Sequence, residues 1–496
     1  MVDVKAIKTA LAERGLLTGV RGDIPTEATG ITDDSRQVKP GYVFIAIRGS
    51  TSDGHDYLSA AAEKGATLAI VEDPSRTSLP TLCIHEGRRA AALAAATAFG
   101  NPARTLKIIG VTGTNGKTTT TSILRHLFDD GRGTSASIGT LGVLLGSAGN
   151  VLPGGNGLTT PGPVELQRVL RELVDRGVRS LAMEVSSHSL DQRRVDGLEF
   201  DVVVFTNLTR DHLDYHGTME NYFQAKARLL GYLKKEGTAV VNADAREWES
   251  LSLPQKAIKF GVRARADVRA ENVRFEPHGS EWDLVTPTAT GHVSLPLIGD
   301  VNVENALAAA AGAVALGMRT PQIVEKLNTV PQVAGRLEII ATKPTVLRDY
   351  AHTPDALERS LHTTRAFTRG RLIVVFGAGG DRDRGKRPIM GQIAEQRADY
   401  AIVTSDNPRT EDADSIIDDI EAGMRLSNHE RVTDRLSAIK RALETAKPDD
   451  IVLLAGKGHE TYQVRGTTSY AFDEKKIVEE LTGGGKREAG SGRART

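Results

Sequence analysis

The chain contains a single cysteine, Cys83, which excludes an intramolecular disulfide framework and a zinc site built from several cysteines. It has no excess of either charge. The 63 basic and 63 acidic residues cancel, which excludes a strongly basic nucleic-acid binder and an acidic solvating chain, though not a local basic site. Long apolar runs are missing too. The longest, Ala306 to Met318, is Ala/Gly-rich and about 13 residues long, short of the roughly 20 that cross a bilayer. The N-terminal stretch MVDVKAIKTALAERGLL has no signal-peptide core and predicts a small amphipathic helix. What remains, 496 residues with 40% hydrophobic and 25% charged, is ordinary for a soluble globular protein of about three domains. A soluble protein in a reducing cytoplasm is expected, with neither nucleic acid nor membrane as partner.

The pattern along the chain divides it. Residues 1–100 alternate short apolar runs (YVFIAI, LAIVE, TLCI) with Ala-rich helical stretches, and Asn101-Pro102-Ala103-Arg104 predicts a linker. Residues 101–334 carry four continuous apolar runs, near 107–113, 180–186, 200–207 and 238–244. Continuous rather than alternating runs predict parallel strands covered on both faces. The pattern restarts over 335–484, with strands at 371–379, 399–406 and 451–458, each ending in glycine or a polar cluster. Ligands of open parallel sheets bind beyond such carboxyl ends. The Gly-rich basic tail, 485–496, reads as disordered.

The first of the central strands runs into GVTGTNGKTTT, Gly110 to Thr120, followed by a helix. A strict phosphate-loop pattern would place glycine where this chain has Val111. The working parts are present all the same. Gly113 and Gly116 let backbone N–H groups face an anion, and Thr114, Asn115 and Thr119 of the same stretch are further candidates for nucleotide binding. Lys117 supplies a point charge for phosphates, Thr118 a hydroxyl for Mg²⁺, and the helix its N-terminal dipole. Glu184, at the end of the next strand, is a candidate Mg²⁺ ligand, and His212 lies just past the third. In the helix after it, Lys226 falls within the apolar stripe of Tyr222, Phe223 and Leu229. Such a lysine either snorkels to water or serves a function inside.

GTNGKTT, EVSSH, TRDHLDYHG, YFQAKARLL, LIGDVNVENALAAAA, AGRLE, DYAHTPDAL and GGDRDRGKRP occur in this order. Together they closely resemble the Mur ligases of peptidoglycan synthesis, and the stretch from Thr32 to Tyr57 resembles that family's UDP-binding domain. The resemblance covers roughly residues 25–480. It implies an α/β fold of three domains: a small UDP-binding domain, a central P-loop-like ATPase domain on a parallel sheet, and a Rossmann-like C-terminal domain for the incoming amino acid. It implies an ATP-dependent amide ligase that activates a carboxylate of UDP-MurNAc-L-Ala-D-Glu as an acyl phosphate, acting as a monomer. Lys117, Glu184, His212 and Lys226 would form the reaction centre, with Thr118, Glu184, His212 and a CO₂-derived carbamate on Lys226 around Mg²⁺. A carbamate is anionic where an ammonium would repel the metal, and it forms from a neutral amine, which burial favours. Asn305, Arg336, Asp349 and His352 match ATP contacts; Ser35, Thr159, Thr160, Ser186, Gln192 and Arg194 match contacts to the UDP substrate.

TSDNPRTED carries the choice of amino acid. In the family, DNPR (Asp406, Asn407, Pro408, Arg409) marks enzymes adding meso-diaminopimelate, with Arg382, Gly456 and Glu460 as further contacts. Diaminopimelate differs from lysine by a distal carboxylate, which an arginine pairs in bidentate fashion. Addition of L-lysine, or a related amide ligation such as that of folylpolyglutamate synthase, remains the alternative.

Overall fold

The computed structural model describes residues 1–49, 52–155, 157–276 and 278–483; the tail from 485 lies outside them. The chain forms two compact units. One comprises Met1–Glu271, Leu284–Gly291 and Glu304–Leu327; the other comprises Asn272–Asp283, His292–Val303 and the chain from Asn328 onward.

The first unit begins with a five-stranded sheet in the order Leu17–Arg21, Thr81–Ile84, Leu68–Val71, Tyr42–Ile45, Gly30–Thr32, of which only the first pair is antiparallel. The N-terminal helix, Val4–Glu13, buries Val4, Ile7 and Leu11, one turn apart, and Asp3 caps it by accepting from Ala6 N at 2.8 Å. The predicted linker is a short 3₁₀ helix, Pro102–Thr105, in which Pro102 and Ala103 are buried.

At the centre of this unit Lys107–Thr112 lies between Ser180–Glu184 and Phe200–Phe205, all parallel, with Leu233–Asn242 and Ala257–Gly261 continuing the parallel run. On the far side Ser135–Gly139 pairs with Ser180–Glu184, and an antiparallel extension, Gly142–Leu145 and Asn150–Leu152, follows. The strands beyond the four apolar runs are the ones hydropathy does not show. Ser135–Gly139 is buried at every position, yet SASIG contains one strongly apolar side chain, Ile138, beside the small Ala136. The fourth strand starts at Leu233, earlier than its apolar run, with a register shift between Phe200 and Val202 of its neighbour. The Ala-rich segment belongs to the helix Asp300–Ala315, where Ala306 to Ala311 have no exposed surface. Among the described residues no helix is long and apolar enough to cross a membrane.

The second unit holds a six-stranded sheet ordered Glu338–Thr342, Thr345–Asp349, Ile451–Ala455, Leu372–Phe376, Tyr400–Val403, His429–Arg431. Only its first pair is antiparallel. Separate apolar clusters cover its two faces, as in doubly wound sheets. Because the last five strands are parallel, the segments after Asp349, Phe376, Val403 and Ala455 all emerge at one edge. That is why DYAHTP, GGDRDR, DNPR and GKGHE meet.

Candidate active site

The phosphate loop joins the strand Lys107–Thr112 to the helix Lys117–Phe128. Gly113 and Gly116 have φ of 148° and 85°, conformations that side chains disfavour, and a Cβ on either would collide, with Thr206 Oγ1 and Asn305 Oδ1 respectively. The loop is braced from the next strand end. Thr114 N donates to Asn207 O and Asn115 N to Asn207 Oδ1, each at 2.8 Å, and Thr206 Oγ1 donates to Asn115 O at 2.7 Å. Thr114 Oγ1 donates to Thr209 O at 3.1 Å and lies 3.2 Å from Tyr222 Oη. Sequence patterning passes over Thr206, Asn207 and Thr209; the polar TNLT at a strand end beside the phosphate loop is the signal that could have found them. Thr118 and Thr119 are buried in the helix's first turn, and Asn305 sits against Gly116 and Thr120.

Two amines converge on one carbonyl. Lys117 Nζ donates to Gly113 O at 2.9 Å and Thr114 O at 2.8 Å, and Lys226 Nζ donates to the same Gly113 O at 2.8 Å. The helix Met219–Ala227 turns Lys226 inward with Tyr222, Phe223 and Ala225, leaving the lysine 1% exposed, its amine 4.5 Å from the Tyr222 ring centroid. Burial first, and then the charge of Lys117, push its pKa well below 10.5, with Asp211 opposing. The environment favours the neutral amine.

Glu184 is buried at the end of Ser180–Glu184, where Oε1 accepts from Thr140 N at 2.8 Å and Oε2 from Thr140 Oγ1 at 3.2 Å. His212 has a left-handed backbone (φ 52°) and a half-exposed ring, edge-on to His188 at 4.8 Å between centroids. Among the described residues no group of three or more His, Cys, Asp and Glu side chains is assembled to hold a metal. A magnesium site needs none: Glu184 and Thr118 offer the oxygen donors this cation takes, and nucleotide phosphates supply more. The imidazole of His212 is a poorer match, and Lys226 as an ammonium is no ligand at all.

Of the residues matched to the UDP substrate, Thr159, Thr160, Ser186, Gln192 and Arg194 form one hydrogen-bonded cluster, and among the described residues Ser35 is not bonded to it. Thr159 Oγ1 is 3.3 Å from Thr140 Oγ1, Thr160 Oγ1 donates to Glu184 O at 2.9 Å, and Ser186 N donates to Thr160 Oγ1 at 3.1 Å. Arg194 Nη1 donates to Thr160 O at 2.9 Å, while its Nε and Nη2 hold Gln192 Oε1 at 3.0 and 2.6 Å. Ser35 presents its carbonyl to Lys64 Nζ at 2.9 Å.

In the second unit, Arg409 has φ 52° and donates through Nη1 to Gly380 O at 2.8 Å; its other guanidinium nitrogens have no partner among the described residues. Arg409 and Arg382 flank Gly379, and Arg382 is exposed, donating to the carbonyl of its neighbour Asp381 at 3.1 Å. Glu460 Oε2 accepts from Asn407 Nδ2 at 2.9 Å. The Pro408 carbonyl accepts from Glu411 N at 3.1 Å, and Gly456 N donates to Asp349 O at 3.0 Å. Asp349 itself is buried and already accepts from Leu337 N, Ala351 N and Ser360 Oγ at 2.8, 3.0 and 2.8 Å, so here it organises the AGRLE turn. Arg336 lies over the Tyr350 ring at 4.8 Å, and His352 is exposed, Nδ1 2.7 Å from Tyr350 O.

Three family models match: the Mur ligase family catalytic domain at residues 27–108, the Mur ligase middle domain at 111–313 and the Mur ligase glutamate ligase domain at 335–458. The chain belongs to the Mur ligase family. It is 44% identical over 486 residues, 92% of this chain and 94% of the relative, to the UDP-N-acetylmuramoyl-L-alanyl-D-glutamate--2,6-diaminopimelate ligase of Geobacter metallireducens. It is 42% identical over 470 residues, with 92% and 95% covered, to the ligase of the same name from Geobacillus thermodenitrificans. A solved structure bearing that ligase's name is 32% identical with a TM-score of 0.67, covering 94% of this chain and 97% of the other.

Proposed function

We propose that this chain is an ATP-dependent ligase that adds meso-2,6-diaminopimelate to UDP-MurNAc-L-Ala-D-Glu in peptidoglycan precursor synthesis. The observation that carries the choice of amino acid is the pair of opposite charges at one sheet edge. Arg409 uses a single guanidinium N–H internally, and Glu460 offers a carboxylate beside it in the same loop cluster. The first suits the distal carboxylate of diaminopimelate and the second its distal ammonium. Arg382 and the remainder of DNPR, Asp406, Asn407 and Pro408, with Gly456, complete that subsite.

The chemistry joins two anions before it joins an amine. A γ-carboxylate oxygen of the D-glutamyl residue attacks the γ-phosphorus of ATP and ADP departs, leaving an acyl phosphate. The amine of diaminopimelate then attacks the acyl carbon, a proton leaves the nitrogen, and the tetrahedral intermediate expels phosphate. Lys117 and the N–H groups at Gly113 and from Gly116 to Thr119 hold the triphosphate, with Asn305, Arg336 and His352 as further nucleotide contacts and Asp349 acting through the turn that carries Arg336. Glu184 and Thr118, with His212, would hold Mg²⁺, which when bound supplies positive charge to the transferring phosphoryl group. Lys226, neutral and buried, adds CO₂ to become a carbamate and releases a proton, replacing an amine with an anion. Ser35, Thr159, Thr160, Ser186, Gln192 and Arg194 hold the UDP substrate. The enzyme works as a cytoplasmic monomer.

The test is phosphate release with mass spectrometry of the product. Tripeptide should form only when ATP, UDP-MurNAc-L-Ala-D-Glu and meso-diaminopimelate are all present. Absence of product, or preference for L-lysine, overturns the proposal.

A further inference from the structure

Lys457 is a fully buried charge at the amino-acid loops whose role the ligation does not explain. It sits between the strand Ile451–Ala455 and the hairpin formed by Tyr462–Arg465 and Thr468–Ala471. Its side chain has no exposed surface. Its ammonium donates to Asn407 Oδ1 at 3.0 Å and to Tyr462 O at 2.7 Å, and lies 3.4 Å from Asp406 Oδ1 and 3.7 Å from Glu460 Oε2. A buried ammonium is retained only where partners offset its desolvation, and here two carboxylates and two dipoles do so.

The hairpin that Lys457 anchors grips the DNPR loop along its length. Gln463 Nε2 donates to Asp406 O at 2.7 Å and Val464 N to Asn407 Oδ1 at 2.9 Å. Arg409 N donates to Val464 O at 3.2 Å, and Gly466 N to Arg409 O at 2.6 Å. These last two bonds hold Arg409 in a left-handed conformation that arginine otherwise avoids. Nothing in the local sequence of DNPR would keep it there.

We propose that Lys457, through the hairpin and Asn407, is a positioning residue for amino-acid selectivity: it holds Glu460 and Arg409 in one network for a substrate carrying both an ammonium and a carboxylate at its far end. The proposal rests on the function above, and Lys457 itself touches no substrate. A cation suits this position because Lys457 lies between Asp406 and Glu460, and without it the two carboxylates would repel. Burial raises the Glu460 carboxyl and Asn407 and Lys457 lower it, so the lysine also helps to keep that acceptor ionised.

The test compares wild type with Lys457→Met and Gln463→Leu, varying each substrate in turn while following phosphate release. Loss of a charge-assisted contact predicts that Lys457→Met raises KM for meso-diaminopimelate about tenfold or more, with KM for ATP and for the UDP substrate within about twofold. Its preference for meso-diaminopimelate over L-lysine in kcat/KM should fall by about the same factor. Gln463→Leu should shift the same two quantities in the same direction, by less. An unchanged KM for meso-diaminopimelate in folded Lys457→Met, or a parallel rise in all three KM values, overturns the inference. If Lys457→Met does not fold by circular dichroism, Gln463→Leu decides by the same criteria. Wild type that makes no product with meso-diaminopimelate instead sinks the function proposed above, and this inference with it.

Discussion

Among the described residues two lysines are buried with 1% or less of their surface exposed, and their surroundings are opposite. Lys226 meets a carbonyl oxygen, an aromatic face and the positive charge of Lys117. Lys457 meets Asp406, Glu460 and Asn407. Burial lowers the pKa of both, but carboxylates on two sides oppose the shift at Lys457, while at Lys226 the nearest strong charge adds to it. Burial alone therefore does not decide what a lysine does. The sign of the charges around it separates an amine ready for chemistry from a fixed structural cation.

The largest effect should come from removing the first of the pair. Lys226→Ala should cost about a thousandfold in turnover, as loss of a charge at a phosphoryl-transfer centre does. Bicarbonate or a small carboxylate should restore part of it, read by phosphate release. An unimpaired variant would erase the contrast between the two lysines. Next comes Arg409→Ala, which should lower kcat/KM for meso-diaminopimelate about a hundredfold, the scale of a broken charge pair, while leaving poor L-lysine use unchanged or improved. Equal losses on both amino acids would mean that Arg409 supports the loop rather than reading the substrate.

The smallest effect is on stability, and it has opposite signs at the two sites. Lys226→Met should stabilise the apo protein by about 1–2 kcal/mol at neutral pH in bicarbonate-free buffer, because it removes a buried amine while Lys117 still donates to Gly113 O. Lys457→Met should destabilise by about 1–2 kcal/mol, because it strands Asp406 and Glu460. Urea denaturation measures both. The pH dependence follows from the depressed pKa of Lys226. Between that folded-state value and 10.5, the folded chain binds fewer protons than the unfolded one, so wild-type stability rises with pH across this window. The advantage of Lys226→Met should accordingly fade as pH approaches 10.5. Shifts of equal sign for the two methionine variants would contradict the electrostatic distinction.

Much of the site is legible along the chain because it is local. A strand, a glycine loop and Lys-Thr opening a helix predict an anion site from consecutive residues, and Gly113 and Gly116 do adopt the backbone angles that the loop requires. The apolar strands around it are equally plain, being buried on both faces. Ser135–Gly139 is faint to hydropathy, since only Ala136 and Ile138 join the apolar core and its serines and glycine are buried by pairing with strands on both sides. The brace of Thr206, Asn207 and Thr209, the contact of Thr140 with Glu184 and the hairpin after GKGHE escape for a related reason. Each supports a residue far away in sequence, so its meaning lies in a partner rather than in a pattern.

Lys226 marks the boundary between the two kinds of information. Helical periodicity alone sets it in an apolar stripe, from which it either snorkels to water or serves inside, and the fold buries it. Whether the amine would then be paired or neutral depended on Gly113 and Lys117, more than a hundred residues earlier in the chain. A proton's affinity for nitrogen is fixed by the fields of neighbours in space, and only folding decides who those neighbours are.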